Sequence, residues 1–478
     1  MKISLLLNGL VDEIVTESEI TGISYEPNKC SCKDILFLLN ERSINEYIAS
    51  PKKVSAIVTE IPLGYNCGVP IYTVKNVREA LSISCARMYC RDLSKIKFVG
   101  ITGTNGKSTT AIILESILYD YGYKVGYIGT GVIRVGEKIL SDKYYSMTTP
   151  APDLLYRAIG EMESMGVEII VMEVSSHALD QSRVSPIDFE IGIFTNLSEE
   201  HLDYHKNITE YFRSKKRLFE KSKYIIVNSD DIYGKSIICD YENVEGCGMD
   251  PSANTKISKI KNLGFSGIRF NYRSDINDAE ICLNLPGIYN VYNAMLAIRS
   301  AEKLGVPMKN INNSLGKISK INGRFNVIDG EITVVIDYAH TISAFDNLAK
   351  NLYSMKNTGQ NLCLVFGCGG ERDKGKRGAM GAISEKYADR VIVTSDNPRG
   401  EDPRSIIDDI TKSMQTSPTV IIDRENAIRH AILSANDGDI IAIIGKGPES
   451  YSISKGVYSP FSETEIIYSA LEERHKCE

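Results

Sequence analysis

Residues 100–110 have the sequence GITGTNGKSTT, and this stretch is the strongest indication of the fold class. It follows the apolar segment KFVGI (97–101), and a segment with helical character begins near Lys107. Its three glycines, Gly100, Gly103 and Gly106, would let backbone N–H groups approach phosphate oxygens, while Lys107 supplies a positive charge and Ser108 offers a hydroxyl to Mg²⁺. A strand, a glycine loop and a helix in this order predict a phosphate-binding loop in an open α/β sheet.

The spacing of this loop differs from the standard Walker form, because Ile101 stands where that form places a glycine. The alternative is a strand-to-helix glycine turn with an unrelated lysine. We favour the phosphate loop because the flanking segments have the required strand and helix character.

Apolar segments alternate with helical ones on both sides of the loop, which is typical of parallel, doubly wound sheets. We predict an α/β fold in three domains: an N-terminal α/β domain over residues 1–92, a central domain over 93–322 that carries the phosphate loop, and a second open α/β domain over 323–478. The segments that carry this prediction are SAIVTE and IYTV in the first block, KVGYIG, EIIVMEV, FEIGIFTNL and KYIIVNS in the second, and TVVIDY, LCLVFG, RVIVTS, TVIID and IIAIIG in the third.

Composition excludes several classes of protein. The 478 residues carry a formal net charge of −6, which argues against a nucleic-acid binder. The eleven cysteines are scattered without the spacing of a zinc site, which indicates a reducing compartment. The first residues, MKISLLLNGLVDE, are too polar for a signal peptide, and no apolar run is long enough to span a membrane. We therefore expect a cytoplasmic monomer that acts on small molecules.

Polar side chains follow the predicted strands of the central block. Glu173 and His201 each follow a strand of the sheet that carries the phosphate loop, and could meet at a metal ion bound to the phosphates. Because Mg²⁺ prefers oxygen ligands, Glu173 is the stronger candidate. Four of the six histidines, among them His177, His205 and His340, lie at or just beyond strand ends, where a structural role is equally possible for any one of them.

A second polar cluster, TSDNPRGEDP (394–403), follows the apolar segment Val391 to Val393. It places a carboxylate, an amide and a guanidinium, from Asp396, Asn397 and Arg399, at the rim of the C-terminal sheet, where ligands bind in open α/β folds. The alternative is a turn before a helix that starts at Asp402 and Pro403.

Seven motifs occur in an order and spacing that resemble the Mur ligases, most closely the branch that adds meso-diaminopimelate: TGTNGKST, EVSSHAL, NLSEEHLDYH, GRF, DYAHT, FGCGGERDKGKR and DNPRGEDP. The resemblance covers residues 95–450 and implies an N-terminal domain that holds the UDP-sugar, a central P-loop ATP-binding domain and a C-terminal Rossmann-like domain that binds the amino acid. It implies an ATP-dependent amide ligase that joins meso-diaminopimelate to the D-glutamate of UDP-N-acetylmuramoyl-L-alanyl-D-glutamate through an acyl phosphate, in peptidoglycan biosynthesis. Cofactors implied are ATP and Mg²⁺.

The resemblance also implies a role for each matching residue. Catalysis would involve Lys107, Glu173, His201 and Lys215, and the metal would be held by Ser108, Glu173, His201 and a carbamylated Lys215. ATP would be bound by Gly103, Thr104, Asn105, Gly106, Lys107, Ser108, Thr109, Asn293, Arg324 and Asp337. The UDP-sugar peptide would contact Thr148, Thr149, Ser175, Gln181 and Arg183, and the amino acid would contact Arg372, Asp396, Asn397, Pro398, Arg399, Gly445 and Glu449.

The chain departs from the family pattern at three places. Glu26, Pro27 and Asn28 stand where Asp-Ser-Arg is usual in the UDP-binding domain, DYAHTIS stands where DYAHTPD is usual, and Pro448 replaces a histidine beside the amino-acid site. Three alternatives follow: a related ligase with a different, non-UDP carboxylate acceptor; a folylpolyglutamate-type ligase, disfavoured by DNPR and by the extra N-terminal block; and a catalytically silent nucleotide-binding protein, disfavoured by the intact catalytic set.

Overall fold

The computed structural model describes residues 1–14, 16, 18–64, 67–142 and 147–477. These residues form three separate sheets in chain order and one short hairpin. The predicted α/β class is confirmed, since each of the three sheets contains parallel strands flanked by helices. The domain limits at residues 92 and 322 remain predictions.

The first sheet is parallel, with strand order β1-β2-β3-β4. Its inner strands β2 and β3 are almost entirely buried because their side chains are apolar on both faces. The elements are α1 (Ile3–Leu7), β1 (Gly22–Ser24), β2 (Asp34–Leu38), α2 (Glu41–Ala49), β3 (Ala56–Thr59), β4 (Ile71–Thr73) and α3 (Val77–Tyr89).

The central sheet has strand order β15-β14-β13-β12-β11-β10-β5-β9-β6-β7-β8. It is parallel from β13 to β6 and antiparallel at both ends. Its strands are β5 (Lys97–Thr102), β6 (Val125–Gly129), β7 (Val132–Val135), β8 (Lys138–Ser141), β9 (Ile169–Glu173), β10 (Phe189–Phe194), β11 (Ser222–Asn228), β12 (Val244–Gly248), β13 (Thr255–Asn262), β14 (Ile268–Arg273) and β15 (Asp278–Leu283).

Helices pack on both faces of the central sheet. The phosphate-loop helix α4 packs against α10, and both contribute to one apolar core. The helices are α4 (Lys107–Tyr121), α5 (Pro152–Ser164), α6 (Ser176–Asp180), α7 (Leu202–His205), α8 (Ile208–Lys216), α9 (Ile232–Asp240), α10 (Ile288–Lys303) and α11 (Met308–Leu315), with single 3₁₀ turns at Leu93–Lys95, Phe219–Lys221 and Gly264–Ser266.

The third sheet has strand order β16-β17-β21-β18-β19-β20 and is parallel except at β16. Outside this sheet, the strands β22 and β23 pair with each other as an antiparallel hairpin. The elements are β16 (Asn326–Ile328), β17 (Thr333–Asp337), α12 (Ile342–Met355), β18 (Leu362–Phe366), α13 (Lys376–Tyr387), β19 (Arg390–Val393), α14 (Pro403–Thr411), β20 (Thr419–Val420), α15 (Arg424–Leu433), β21 (Ile440–Ile444), β22 (Tyr451–Ser454), β23 (Val457–Pro460) and α16 (Glu463–Cys477).

Strand order places the phosphate loop at the point where an open sheet binds ligands. β5 lies between β9 and β10, so strands that follow β5 in the chain lie on both of its sides. The crevice at the carboxyl end of such a strand is the usual ligand position in doubly wound sheets. Among the residues described, no helix is long and apolar enough to cross a membrane.

Candidate active site between the central and C-terminal sheets

A single cleft joins the carboxyl ends of the central and C-terminal strands. Of the predicted site residues, it brings together the loop 104–109, Thr148, Glu173 and His201 from the central sheet with Arg324, Arg372, Asp396, Asn397, Arg399, Gly445 and Glu449 from the C-terminal part. A second cavity shares Asn105, Gly106, Thr109 and Arg324 with the cleft and adds two further nucleotide candidates, Asn293 and Asp337, whereas Gly103 lines neither cavity. The two clusters predicted from the sequence therefore face each other.

The phosphate loop is held in shape by its neighbours. Gly103 and Gly106 have φ angles of 150° and 86°. A Cβ on Gly103 would lie 1.9 Å from Thr195 Oγ1, and one on Gly106 would lie 2.3 Å from Asn293 Oδ1. Only glycine fits at either position, which explains the two glycines of the motif. Asn293 thus acts on the loop by packing closely against Gly106.

Two lysines converge on the carbonyl oxygen of Gly103. Lys107 donates to this oxygen at 3.0 Å and to Thr104 O at 2.8 Å, while Lys215 donates to it at 2.8 Å. Lys215 is almost fully buried against the ring of Tyr211. Burial, together with the charge of Lys107, lowers the pKa of Lys215 well below its usual range. Burial also lowers the pKa of Lys107.

Glu173 is a fully buried carboxylate at the end of β9, and four donors hold it. Its Oε2 accepts from Ser108 Oγ at 2.9 Å and from Thr130 Oγ1 at 3.3 Å. Its Oε1 accepts from Tyr127 OH at 3.0 Å and from the Thr130 N–H at 2.9 Å. A buried carboxylate is tolerated only when donors replace its hydration, so this group is fixed in place.

The oxygen ligands available at this place fit a magnesium ion that is also coordinated by the substrate. Among the residues described, no group of three or more His, Cys, Asp or Glu side chains could hold a metal. Ser108 and Glu173 instead offer a small set of oxygens beside the phosphate loop. Mg²⁺ sites typically combine one or two carboxylates with substrate phosphates, so the residues fit this ion.

His201 lines the same cleft as Glu173 and has a left-handed backbone conformation with φ 56°. Its ring stands edge-on to that of His177, with centroids 4.9 Å apart. Burial lowers the pKa of His201 to about 4 despite the nearby Glu200 carboxylate. The imidazole is therefore neutral at physiological pH, the form in which histidine binds metals.

Glu200 and His340 join the central part of the chain to the C-terminal part. His340 Nε2 lies 3.0 Å from Glu200 Oε1, and His340 Nδ1 lies 2.9 Å from the Tyr338 carbonyl oxygen. Burial raises the pKa of Glu200, but the hydrogen bond and charge of His340, with His201 and Lys107, outweigh it and lower that pKa well below its usual range. Nearby, Thr341 donates to Asn105 at 3.3 Å.

Arg324 and Asp337 lie at the same junction. Arg324 donates to Ser108 Oγ at 3.1 Å, and its guanidinium lies 4.4 Å above the ring of Tyr338. Asp337 accepts from the N–H groups of Phe325 and Ala339, both at 2.7 Å. These bonds orient the GRF and DYAHT segments toward the phosphate loop.

The residues predicted to bind the sugar peptide form one network beside the cleft. Arg183 donates to Gln181 Oε1 at 2.8 Å and to the Thr149 carbonyl oxygen at 2.6 Å. Thr149 Oγ1 donates to the Glu173 carbonyl oxygen at 2.9 Å and lies 3.4 Å from Ser175 Oγ. Thr148 Oγ1 lies 3.4 Å from Thr130 Oγ1, so all five are linked to the Glu173 region.

The amino-acid cluster is organised around a buried lysine. Lys446 Nζ donates to Asn397 Oδ1 at 2.7 Å and lies 3.7 Å and 3.8 Å from the carboxylates of Asp396 and Glu449. Asn397 Nδ2 donates to Glu449 Oε2 at 2.8 Å. Burial and the charge of Asp396 raise the pKa of Glu449. The side-chain amide of Asn397 is thus hydrogen-bonded within the protein. The charged groups that line the cleft here belong to Asp396, Arg399 and Glu449.

A hairpin fixes the backbone of the DNPR segment. The Arg399 N–H donates to Ile453 O, and Arg399 O accepts from the Lys455 N–H, so Arg399 is bridged to the β22–β23 hairpin. Arg399 has φ 52°, and its guanidinium donates to the Gly370 carbonyl oxygen at 2.8 Å. Gly370 in turn approaches Pro398 O so closely that a Cβ would lie 2.0 Å away. Arg372 and Gly445 also line the cleft here.

Two of the departures from the family pattern lie far apart in the sequence and have different surroundings. Glu26, Pro27 and Asn28 follow β1, with Pro27 buried, and the neighbouring Tyr25 donates to Asp153 at 3.3 Å across to α5. Pro448 packs against Gly323, where a Cβ would lie 2.1 Å from the Pro448 nitrogen. Pro448 therefore supports the GRF segment in this structure.

Sequence reasoning missed several residues of the site. Lys446, Tyr127, Thr130 and Glu200 were not singled out, and His340 was named only as a strand-end histidine. Glu200 adjoins His201, and Lys446 follows β21 beside Gly445, so their positions at strand ends were available as a signal. For Tyr127 no such signal exists, because it lies inside an apolar strand.

Comparisons with known proteins agree with this geometry. Residues 101–301 match the Mur ligase middle domain, and residues 323–447 match the Mur ligase, glutamate ligase domain. The chain is 36% identical to a Clostridium perfringens protein over 98% of its length and 99% of the relative's, and 40% identical to an Aquifex aeolicus protein over 88% and 87%. Both relatives are named UDP-N-acetylmuramoyl-L-alanyl-D-glutamate--2,6-diaminopimelate ligase. A solved structure of a ligase of that name superposes with a TM-score of 0.70 at 27% identity, covering 99% of each chain.

Proposed function

The chain belongs to the Mur ligase family, and from this premise we propose that it joins meso-2,6-diaminopimelate to the D-glutamate of UDP-N-acetylmuramoyl-L-alanyl-D-glutamate at the expense of ATP. One observation carries the proposal. The phosphate loop and the cluster of Asp396, Arg399 and Glu449 line the same cleft, so a phosphate and an amino acid can meet there. Full-length similarity to ligases named for this reaction supports the choice of substrates.

The reaction has two steps. The D-glutamate carboxylate attacks the γ-phosphorus of ATP. The bond from this phosphorus to the bridging oxygen breaks, ADP departs, and the D-glutamate carboxyl group is now an acyl phosphate. The amine of diaminopimelate then attacks the carbonyl carbon, the carbon–oxygen bond to phosphate breaks, and the nitrogen loses a proton to give the amide. Both steps bring anions together, so the site must supply positive charge and N–H donors.

The residues around the loop suit the first step. Lys107 and the N–H groups at the start of α4 would bind the phosphates of ATP, with Asn293, Arg324 and Asp337 holding the rest of the nucleotide. Ser108, Glu173 and His201 would hold Mg²⁺, which offsets phosphate charge when bound. Lys107 must first exchange the carbonyl oxygens of Gly103 and Thr104 for phosphate oxygens.

Lys215 suits carbamylation. Its lowered pKa leaves a larger fraction of neutral amine, which is the form that adds CO₂ and releases a proton. The carbamate would turn a buried cation beside Lys107 into an anion. We propose that this anion neutralises Lys107 and adds an oxygen ligand for the metal.

The charges of the amino-acid cluster fit a diamino diacid. Arg399 and Arg372 would pair with a carboxylate, and Asp396 and Glu449 would accept from an ammonium group. Gly445 and Pro398 would shape the backbone around them. Thr148, Thr149, Ser175, Gln181 and Arg183 would hold the UDP-sugar peptide so that its carboxylate faces the loop.

We place this reaction in peptidoglycan biosynthesis, and therefore in cell-wall biogenesis, cell shape and cell division. Its nucleotide substrates are supplied in the cytoplasm, where we propose that the protein acts as a monomer on small molecules.

The test is phosphate release by the purified protein with ATP and Mg²⁺. We expect release that requires both UDP-N-acetylmuramoyl-L-alanyl-D-glutamate and meso-diaminopimelate, and much less release with L-lysine. A protein that binds ATP but releases no phosphate with this acceptor would instead be a related ligase for a non-UDP carboxylate, the alternative motivated by Glu26, Pro27 and Asn28.

A further inference from the structure

Tyr127 is a buried tyrosine whose hydroxyl reaches the carboxylate of Glu173 from inside the sheet. It lies on β6, is 2% exposed, and donates to Glu173 Oε1 at 3.0 Å. Ser108 and Thr130 reach the same carboxylate from the cleft side. Tyr127 is not among the cleft-lining residues, and its hydroxyl reaches the site by its hydrogen bond to Glu173.

The tyrosine is itself fixed by an ion pair. The guanidinium of Arg134 lies 4.6 Å from the centre of the Tyr127 ring, and Arg134 Nε donates to Glu115 Oε1 at 3.1 Å. A second bond joins Arg134 Nη2 to Glu115 Oε2. Glu115 is buried on α4, the helix that begins at the phosphate loop. A guanidinium over an aromatic face is attractive, so the ring has one preferred position.

Gly129 lies close to the point where the Tyr127 hydroxyl meets the Glu173 carboxylate. A Cβ at this position would lie 2.1 Å from Tyr127 OH and 2.4 Å from Glu173 Oε1. The backbone of β6 therefore leaves room for the tyrosine–carboxylate contact by having no side chain there. The close approach would be unnecessary if Tyr127 only filled the core.

We propose that Tyr127 is a positioning residue, which orients Glu173 for metal binding and is itself held by Arg134 and Glu115. The bonds from Tyr127 and the Thr130 N–H fix Oε1, and this leaves Oε2 beside Ser108 Oγ at the cleft. Without the tyrosine hydroxyl, the carboxylate loses one of its donors and gains freedom to rotate. This inference rests on the proposed use of Glu173 as a metal ligand.

The test is metal affinity, measured with Mn²⁺ as the probe by electron paramagnetic resonance, in the presence of a non-hydrolysable ATP analogue. Tyr127→Phe removes one hydroxyl and keeps the ring. Because it loses a hydrogen bond to a charged group, we expect Mn²⁺ to bind about tenfold more weakly. Binding of the analogue without metal should stay within about twofold of the unsubstituted protein, which a general loss of structure would not allow.

Tyr272→Phe is a matched control, because Tyr272 is also a buried tyrosine that donates to a buried carboxylate, Glu302, at 2.6 Å. We expect unchanged Mn²⁺ affinity for this variant. Equal weakening in the two variants, or no weakening in Tyr127→Phe, would overturn the inference. No Mn²⁺ binding by the unsubstituted protein would instead count against the proposed metal site.

Glu115→Gln tests the second link and keeps the inference falsifiable if Tyr127→Phe fails to fold. It leaves the four donors to Glu173 in place but removes the charge that holds Arg134 over the ring. We expect weaker Mn²⁺ binding, in the same direction as Tyr127→Phe and smaller. Unchanged Mn²⁺ affinity in folded Glu115→Gln would contradict the role of the ion pair.

Discussion

The carbonyl oxygen of Gly103 accepts hydrogen bonds from two lysines, although like charges in a buried place repel each other. The repulsion between the two ammonium groups falls when Lys107 turns to a phosphate or when Lys215 loses its charge. The same two lysines differ in their predictability. Lys107 follows from the loop pattern, whereas Lys215 was identified only through the family resemblance, because a lysine on a helix is usually solvated.

At this scale we expect Lys107→Ala to abolish turnover. Loss of the charge beside the phosphates removes transition-state stabilisation, and kcat should fall on the order of a thousandfold. Steady-state phosphate release measures this. Lys216→Ala is the control, since Lys216 pairs with Asp240 on the surface and should leave kcat unchanged. Near-normal kcat in Lys107→Ala would refute the assignment of the loop.

Arg399→Ala should raise the KM for the amino acid far more than the KM for ATP. A charge-assisted pair to a carboxylate contributes about 2 to 3 kcal/mol, which corresponds to roughly a thirtyfold to hundredfold change in KM. Arg404→Ala, at an exposed position of α14, is the control. An unchanged KM for the amino acid would show that the guanidinium only supports the Gly370 carbonyl.

At the scale of elements, α4 has a glycine in the left-handed region at each end. Gly106 begins the helix with φ 86°, and Gly122 ends it with φ 110°. They differ in their surroundings, because a Cβ on Gly106 would collide with Asn293, whereas a Cβ on Gly122 would meet nothing within 4 Å.

We therefore expect Gly106→Ala and Gly122→Ala to differ in function. Both lose about 1 kcal/mol of stability because alanine is strained in the left-handed region, and Gly106→Ala loses more because its Cβ collides with Asn293. Only Gly106→Ala should also lose nucleotide binding, by tenfold or more as an order-of-magnitude expectation for a displaced loop. Thermal unfolding and calorimetric titration of the ATP analogue separate the two effects. Equal nucleotide affinity in both variants would contradict a preformed loop.

The elements that sequence predicted best are the buried parallel strands. KFVGI, EIIVMEV and IIAIIG each became a strand, because apolar side chains on both faces require burial between helices. The antiparallel additions β7–β8 and β13–β15 were not predicted, since their alternating polar residues give a weaker signal. TVIID was predicted as a strand but forms only the two-residue strand Thr419–Val420 at the exposed edge of the sheet.

For the whole molecule, the decisive contacts are those that bring the central and C-terminal sheets together. Sequence predicted Glu173 and Arg399 as separate clusters, but their common cleft depends on the relative placement of two sheets, which local patterns do not encode. Three hydrogen bonds between the two parts support this relative placement, and they join Glu200 to His340, Asn105 to Thr341 and Ser108 to Arg324.

Glu200→Gln should weaken the contact between the central and C-terminal sheets. Replacing the carboxylate removes a charged hydrogen bond to His340, so the fraction of molecules that keep the two sheets in contact, and with it kcat, should fall about tenfold. Small-angle scattering with the ATP analogue should show a larger radius of gyration. Glu199→Gln, at the exposed neighbouring position, is the control. If both variants keep the wild-type radius and kcat, the pair does not hold the sheets together.

The continuous cleft between the phosphate loop and the DNPR segment has a consequence for inhibition. A single compound that carries a phosphonate at one end and a diamino acid at the other could occupy both places at once. Because its second half binds as a tethered group at high effective concentration, its affinity could exceed that of either half by several orders of magnitude without any new contact. The length of the linker would report the distance between the two substrates in the working enzyme.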